Sequence, residues 1–120
     1  MTGKKQIPIY TSEGDCKAYL IYPYVFDEDG DWIAFITDDR NVYSVNGDYI
    51  GWITDDPRIV RTVSSDGFRD TSEPPEAPLR IKIKISTSLA PMMPDLPNTQ
   101  IDVLQDEEFK FIVFGRFTEN

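Results

Sequence analysis

The sequence predicts an all-β protein built from about four consecutive β-hairpins, and three observations lead to that class. The stretch at 42–54 reads VYSVNGDYIGWIT, two apolar arms around Asn46-Gly47, and Asn-Gly between apolar runs is the strongest short-range hairpin signal. The pattern recurs as IYTSEGDCKAYLI from Ile9, VFDEDGDWIAFIT from Val25 and a worn copy, VRTVSSDGF, ending at Phe68. Aligned on Gly14, Gly30, Gly47 and Gly67, with spacings of 16, 17 and 20 residues, the copies place the same residue types in phase. Four places before the glycine stand Tyr10, Phe26, Tyr43 and Val63; four places after it stand the small residues Ala18, Ala34 and Gly51. An aromatic follows at Tyr19, Phe35 and Trp52, then an aliphatic at Leu20, Ile36 and Ile53. Such a repeat is one supersecondary unit that needs its neighbours to bury its apolar surface.

If each x-Gly pair is a two-residue turn with both central residues at φ > 0, the register of every hairpin follows. Tyr43 then faces Ile50 beside Trp52, and the matching sets are Phe26, Ile33 and Phe35 with Tyr24, and Tyr10 with Tyr19. That face is aromatic. On the other, Ile9 faces Ala18, Val25 faces Ala34 and Val42 faces Gly51, with Leu20, Ile36 and Ile53 further along. Trp32 and Tyr49, next to turns on this aliphatic side, are the candidates for exposed contact anchors. Hairpins with two apolar faces must pack on one another. Small residues at one level let backbones come close around a shared axis, and a closed arrangement also limits exposed edges.

The aromatic, turn-glycine, small, aromatic, aliphatic pattern resembles the four-fold beta flower proteins, small bacterial proteins with four such hairpins around a pseudo-fourfold axis. The resemblance covers residues 7–68, is most specific at VNGDYIGWI, 45–53, and weakens in the fourth copy, where Thr62 and Val63 replace an aromatic. It implies a fold. The family has no assigned activity, so no functional residue is carried over.

After the repeats the composition changes. Residues 72–78, SEPPEAP, read as a linker stiffened by proline. Residues 79–86, LRIKIKIS, alternate strictly, with Leu79, Ile81, Ile83 and Ile85 inward and Arg80, Lys82 and Lys84 outward, as in a half-buried strand. A helical turn is expected near 100–107 with Asn98 or Thr99 as N-cap, and 109–117, FKFIVFGRF, reads as an apolar strand. The organisation expected is a hairpin-repeat domain at 1–71, the linker at 72–78, and C-terminal strands within 79–120 that pack on the repeats or on a neighbouring subunit.

Composition narrows the function. The net charge of −9 opposes binding to phosphate backbones, which relies on Lys and Arg displacing counterions. Residues 1–76 hold 7 Lys/Arg against 15 Asp/Glu, so nearly all the excess lies in the repeats and suits a basic protein partner. The single Cys16 and absence of histidine give no disulfide framework, no Cys/His metal set and no histidine base. No run approaches the roughly 18 apolar residues of a membrane span, and MTGKKQIPIY lacks the apolar core of a signal peptide. The expectation is a cytoplasmic protein without cofactor or metal.

Two carboxylate groupings merit weighing. Asp27, Asp29 and Asp31 around Gly30 resemble the start of a calcium loop, but its downstream glutamate is absent and Asp and Gly suit a turn on conformational grounds. Thr37-Asp38-Asp39 and Thr54-Asp55-Asp56 recur after the second and third hairpins and gather carboxylates on one rim. Acid/base chemistry there would require one carboxyl raised and one ionised. The expected function is a non-catalytic binding or assembly module, oligomerising through its C-terminal strands. The alternatives are an acidic inhibitor or immunity-type protein contacting a basic partner through Asp27, Asp29, Asp31, Asp38, Asp39, Asp55 and Asp56, and, more remotely, a carboxylate-based hydrolase.

Overall fold

The computed structural model describes residues 5–62, 71–83 and 92–105. They form one antiparallel sheet of eight strands, each hydrogen-bonded to its neighbours in sequence. The strands are β1 (Ile7–Tyr10), β2 (Cys16–Ile21), β3 (Tyr24–Asp27), β4 (Trp32–Ile36), β5 (Asn41–Ser44), β6 (Tyr49–Ile53), β7 (Ile59–Thr62) and β8 (Gln100–Asp102). Consecutive pairs make four hairpins, or petals. No helix among the described residues is long and apolar enough to cross a membrane.

The pairings Ile9 with Ala18, Val25 with Ala34 and Val42 with Gly51 are those read from the repeat. The turns are not. Within these three turns the positive φ falls on Gly14, Gly30 and Gly47, at 91°, 87° and 93°, and not on Asn46. In each turn the glycine N–H donates to the carbonyl three residues back, and that earlier residue donates its own N–H to the carbonyl four residues on. Residue three before the glycine explains the preference. Ser44 Oγ accepts the Asn46 and Asp48 amides at 3.3 and 3.2 Å, and Asp27 Oδ1 those of Asp29 and Asp31 at 2.9 and 3.0 Å. Thr11 Oγ1 accepts the Asp15 amide at 3.2 Å. These side-chain bonds favour a longer turn closed by a bulge over a two-residue turn.

The bulge changes the faces. Tyr43 pairs with Tyr49 rather than Ile50, and Phe26 with Trp32 rather than Ile33. Ile33 and Ile50 turn instead into the aliphatic cluster with Val25, Ile36, Val42 and Ile53. Trp32 and Tyr49, expected on that side, join the aromatic one: Trp32 meets Tyr24 edge-on at 5.8 Å, and Tyr49 meets Tyr43 at 5.7 Å. Phe35 stacks on Tyr43 at 5.4 Å, so the aromatic face runs across the second and third petals.

The fourth petal departs most from expectation. β7 uses the first arm of the worn copy, but its partner is β8, with Val60 opposite Asp102 and Thr62 opposite Gln100. A strand replaces the helical turn expected near 100–107, because β7 offers a ladder to these amides. Pro97 O accepts the Gln100 N–H, so Asn98 and Thr99 lie in a turn rather than at an N-cap. Asp102 takes the level of Ala18, Ala34 and Gly51, and Arg61 the row of Tyr10, Phe26 and Tyr43.

The first petal is tied to the fourth without a β1–β8 ladder. Tyr10 N–H donates to Pro57 O at 3.0 Å, Ser12 N–H to Asp102 Oδ2 at 2.6 Å, and Arg58 Nη1 to Ser12 Oγ at 2.8 Å. Inside the ring, Leu20, Ile36, Ile53 and Leu104 belong to one aliphatic cluster.

Residues 71–83 run as a strap from the turn of the third petal to that of the second, past Tyr24. Thr71 bridges Asp48, Ser72 N–H donates to Gly47 O at 2.9 Å, and Ile81 N–H donates to Gly30 O at 3.2 Å. The strand expected at 79–86 is not present over its described part: residues 79–83 join no ladder, and Leu79, expected inward, is 87% exposed. The anchoring to Gly30 supplies a single hydrogen bond here, too little to impose alternation. Residues 84–86 and the strand expected at 109–117 lie outside the described residues.

Candidate functional site

At the end opposite the glycine turns, the connectors between petals surround a cavity of about 340 Å³. Leu20, Ile36 and Ile53, in phase in the repeat, supply its apolar floor with Ile7 and Pro57. The floor is fixed from outside: Ile36 N–H donates to Pro23 O at 2.8 Å and Ile53 N–H to Arg40 O at 3.0 Å. The second and third petals are therefore each pinned to the connector before them.

The rim is polar, formed by Tyr22, Thr37, Asp38, Arg40, Thr54 and Asp55. The two Thr-Asp-Asp connectors fold alike. In each, the threonine hydroxyl donates to the second aspartate, Asp39 or Asp56, and turns it back on its own loop. The first aspartate, Asp38 or Asp55, is left on the cavity rim. Arg40 holds a left-handed φ of 74° that closes its connector, with its N–H on Thr37 O at 2.9 Å, and its guanidinium reaches Asp55 at 2.7 Å. With side chains 52% and 92% exposed, that ion pair is worth no more than about 1 kcal/mol and yields easily to a competitor.

Electrostatics follow from these contacts. The hydrogen bond to the Asp38 carboxylate, with burial and the charge of Asp38, holds the Tyr22 phenol above its ordinary value. The Thr37 hydroxyl and nearby backbone amides hold Asp39 below the usual carboxylate range, against the opposing effect of burial. Burial pushes Asp56 up, but the Thr54 hydroxyl, its backbone amide and Arg58 together bring it below that range. Replacing Asp38 with asparagine is expected to lower the Tyr22 titration midpoint toward that of free tyrosine, as read by phenolate absorbance in an alkaline titration. An unchanged midpoint would show that the two groups do not meet.

Of the six residues singled out from the sequence, the cavity brings together Asp38 and Asp55. Asp39 lines an adjoining hollow with Asn41 and Trp52, and Asp56 is engaged by Arg58 at 2.7 Å. Trp32 and Tyr49 belong to the aromatic face. Sequence reasoning missed Tyr22 and Arg40. Tyr22 lies in a connector, Ile21-Tyr22-Pro23, that shares nothing with Thr-Asp-Asp, although its place in the repeat is the same. Asp27, Asp29 and Asp31 bring carboxylate oxygens within 4.8 Å of one another. Asp27 is already committed to turn amides and Asp31 to Arg80 at 2.8 Å, so the grouping reads as a turn.

The geometry of successive hairpins around one aliphatic cluster agrees with the sequence comparison: the family described as 4-fold beta flower protein matches residues 7–107. The chain belongs to that family. The match runs past the worn fourth copy and through β8, which supplies the second arm of the last petal in this beta flower. No curated protein and no solved structure matches it significantly.

Proposed function

We propose that this beta flower is a non-catalytic cytoplasmic binding module, and that its axial cavity receives a lysine or arginine side chain of a basic partner. The cavity carries the reading. Its apolar floor suits the aliphatic stem of such a side chain, and the carboxylates of Asp38 and Asp55 at the rim suit its cationic head. Arg40 would exchange its exposed pairing with Asp55 for solvent. The charge of −9 steers a basic partner toward the protein. Carboxylate-based hydrolysis would need a raised carboxyl beside an ionised one, and Asp39 and Asp56, both shifted down, suit only the ionised role.

The test is affinity capture from lysate of the native organism at low and moderate salt, with the unaltered protein and with an Asp38→Asn, Asp55→Asn variant. A basic protein retained at low salt, released at moderate salt and lost with the variant is the expected outcome. Capture of the same proteins by both forms would reject the axial cavity as the binding site.

A further inference from the structure

The hairpin connections of the first three petals span residues 11–15, 28–31 and 45–48, whereas β7 and β8 are separated by residues 63–99. Long connections inside compact domains are uncommon and usually functional. One described stretch of the 63–99 connection, 71–83, meets the sheet by the single Thr71–Asp48 bridge and forms no strand. It runs from the Gly47 turn of the third petal to the Gly30 turn of the second and meets Tyr24 of the aromatic face between them.

Its contacts are of a particular kind. Ser72 N–H and Ile81 N–H reach the carbonyls of Gly47 and Gly30, and Tyr24 OH donates to Glu76 O at 2.8 Å. All three read the backbone of the strap rather than its side chains. Both glycines allow the approach: a Cβ at Gly30 would stand 1.8 Å from Ile81 O, and one at Gly47 2.4 Å from Ser72 O. Between these ends the strap carries Pro74, Pro75 and Pro78, which fix φ and bias the preceding residues toward extended backbone. Aromatic surfaces with a hydroxyl donor are the usual receptors for such preformed, low-entropy segments. The C-terminal end adds charge, with Arg80 Nε on Asp31 at 2.8 Å and Arg80 and Lys82 beside Glu28 and Asp29.

We infer that the aromatic face of the second and third petals is a recognition track for an extended, proline-rich peptide with a basic residue near its C-terminal end. The chain's own residues 72–81 occupy this track in cis. They are displaceable. The strap is held by isolated backbone hydrogen bonds and an ion pair whose side chains are 65% and 31% exposed, and Leu79 projects into solvent. A peptide from a partner competes with the strap, and its apparent affinity is scaled by the fraction of molecules in which the strap is open.

The test uses the full chain and a synthetic peptide, TSEPPEAPLRIKI, identical to residues 71–83. The peptide is titrated into the unaltered protein and into a Ser72→Pro, Arg80→Ala variant, whose strap lacks one amide donor and the ion pair. The NMR signals of the Trp32 indole and of the Gly30 and Gly47 amides are followed. Saturable shifts in the variant are expected, with an affinity about tenfold above that of the unaltered protein. A peptide with alanine in place of its three prolines is expected to bind more weakly. A folded variant with no shift at these signals, or equal binding of the alanine peptide, would overturn the inference. Amide exchange in the unaltered protein gives a readout independent of any variant. Ser72 and Ile81 amides are expected to exchange about a hundredfold faster than those in the β4–β5 ladder, by local opening. Protection equal to the ladder would contradict a displaceable strap.

Discussion

Replacing Arg58 with alanine is expected to lower the free energy of unfolding by about 3 kcal/mol, the scale for removing one partner of a buried ion pair. The Arg58 side chain is only 3% exposed, and its guanidinium donates to Asp56 Oδ2 through Nε and Nη2 at 3.1 and 2.7 Å. Nη1 donates to Ser12 Oγ, so the same side chain joins the third connector to the first petal. Beside it, Ser12 N–H reaches Asp102 of β8, which makes this the seam where the ring closes. Alanine would leave Asp56, 18% exposed, without its counter-charge and the Ser12 hydroxyl without its donor. Urea unfolding with an unchanged denaturant slope is the measurement. A loss below about 1 kcal/mol, the range of surface pairs, would mean that the seam does not depend on this contact. Removing both charges, as in Arg58→Met with Asp56→Leu, is expected to cost less than Arg58→Ala alone, because no buried charge is stranded.

The second large effect is expected at Gly51. A Cβ there would lie 2.1 Å from Val60 O and 3.2 Å from Arg61 Cβ, so the obstruction is chiefly the backbone of the adjoining strand. No rotamer change relieves such a contact, and β6 and β7 must separate. Gly51→Ala is therefore expected to cost about 3 kcal/mol, the upper part of the range for overpacking. It should also weaken amide protection at Trp52 and Val60, which pair across the two strands. Ala34→Gly, at the same level of the second petal, is expected to cost about 1 kcal/mol through backbone entropy and to leave the pairing unchanged. Equal, small effects at the two positions would contradict the close approach assigned to Gly51.

That approach was legible in the sequence, because Ala18, Ala34 and Gly51 stand in phase and only small residues recur there. The pairings of Ile9, Val25 and Val42 were legible for the same reason. The turn geometry was concealed by the Asn-Gly pair, whose hairpin preference drew attention from Thr11, Asp27 and Ser44. Those three side chains hold the turn amides, and the resulting bulge moves Ile33 and Ile50 to the core and Trp32 and Tyr49 away from it. The last strand was hidden for another reason. Asp102 and Val103 carry neither the small residue nor the aromatic of the other petals, and they lie far along the chain from β7.

For the cavity, the recurrence of Thr-Asp-Asp predicted that Asp38 and Asp55 share a rim, and they do. The division of labour within each pair was not visible, since it depends on which carboxylate the threonine hydroxyl captures. Tyr22 and Arg40 enter through backbone geometry, one in a differently built connector and the other in a left-handed conformation at an ordinary arginine.

The central claim is that the axial cavity binds an aliphatic cation, and the most direct measurement is a methyl NMR titration of the unaltered protein with n-butylammonium and, separately, n-butanol. Saturable shifts of the Leu20, Ile36 and Ile53 methyl signals are expected with the ammonium. These should diminish in the Asp38→Asn, Asp55→Asn variant and with added salt, and the uncharged alcohol should bind more weakly. No shift at these methyls, or equal response to the cation and the alcohol, would contradict it.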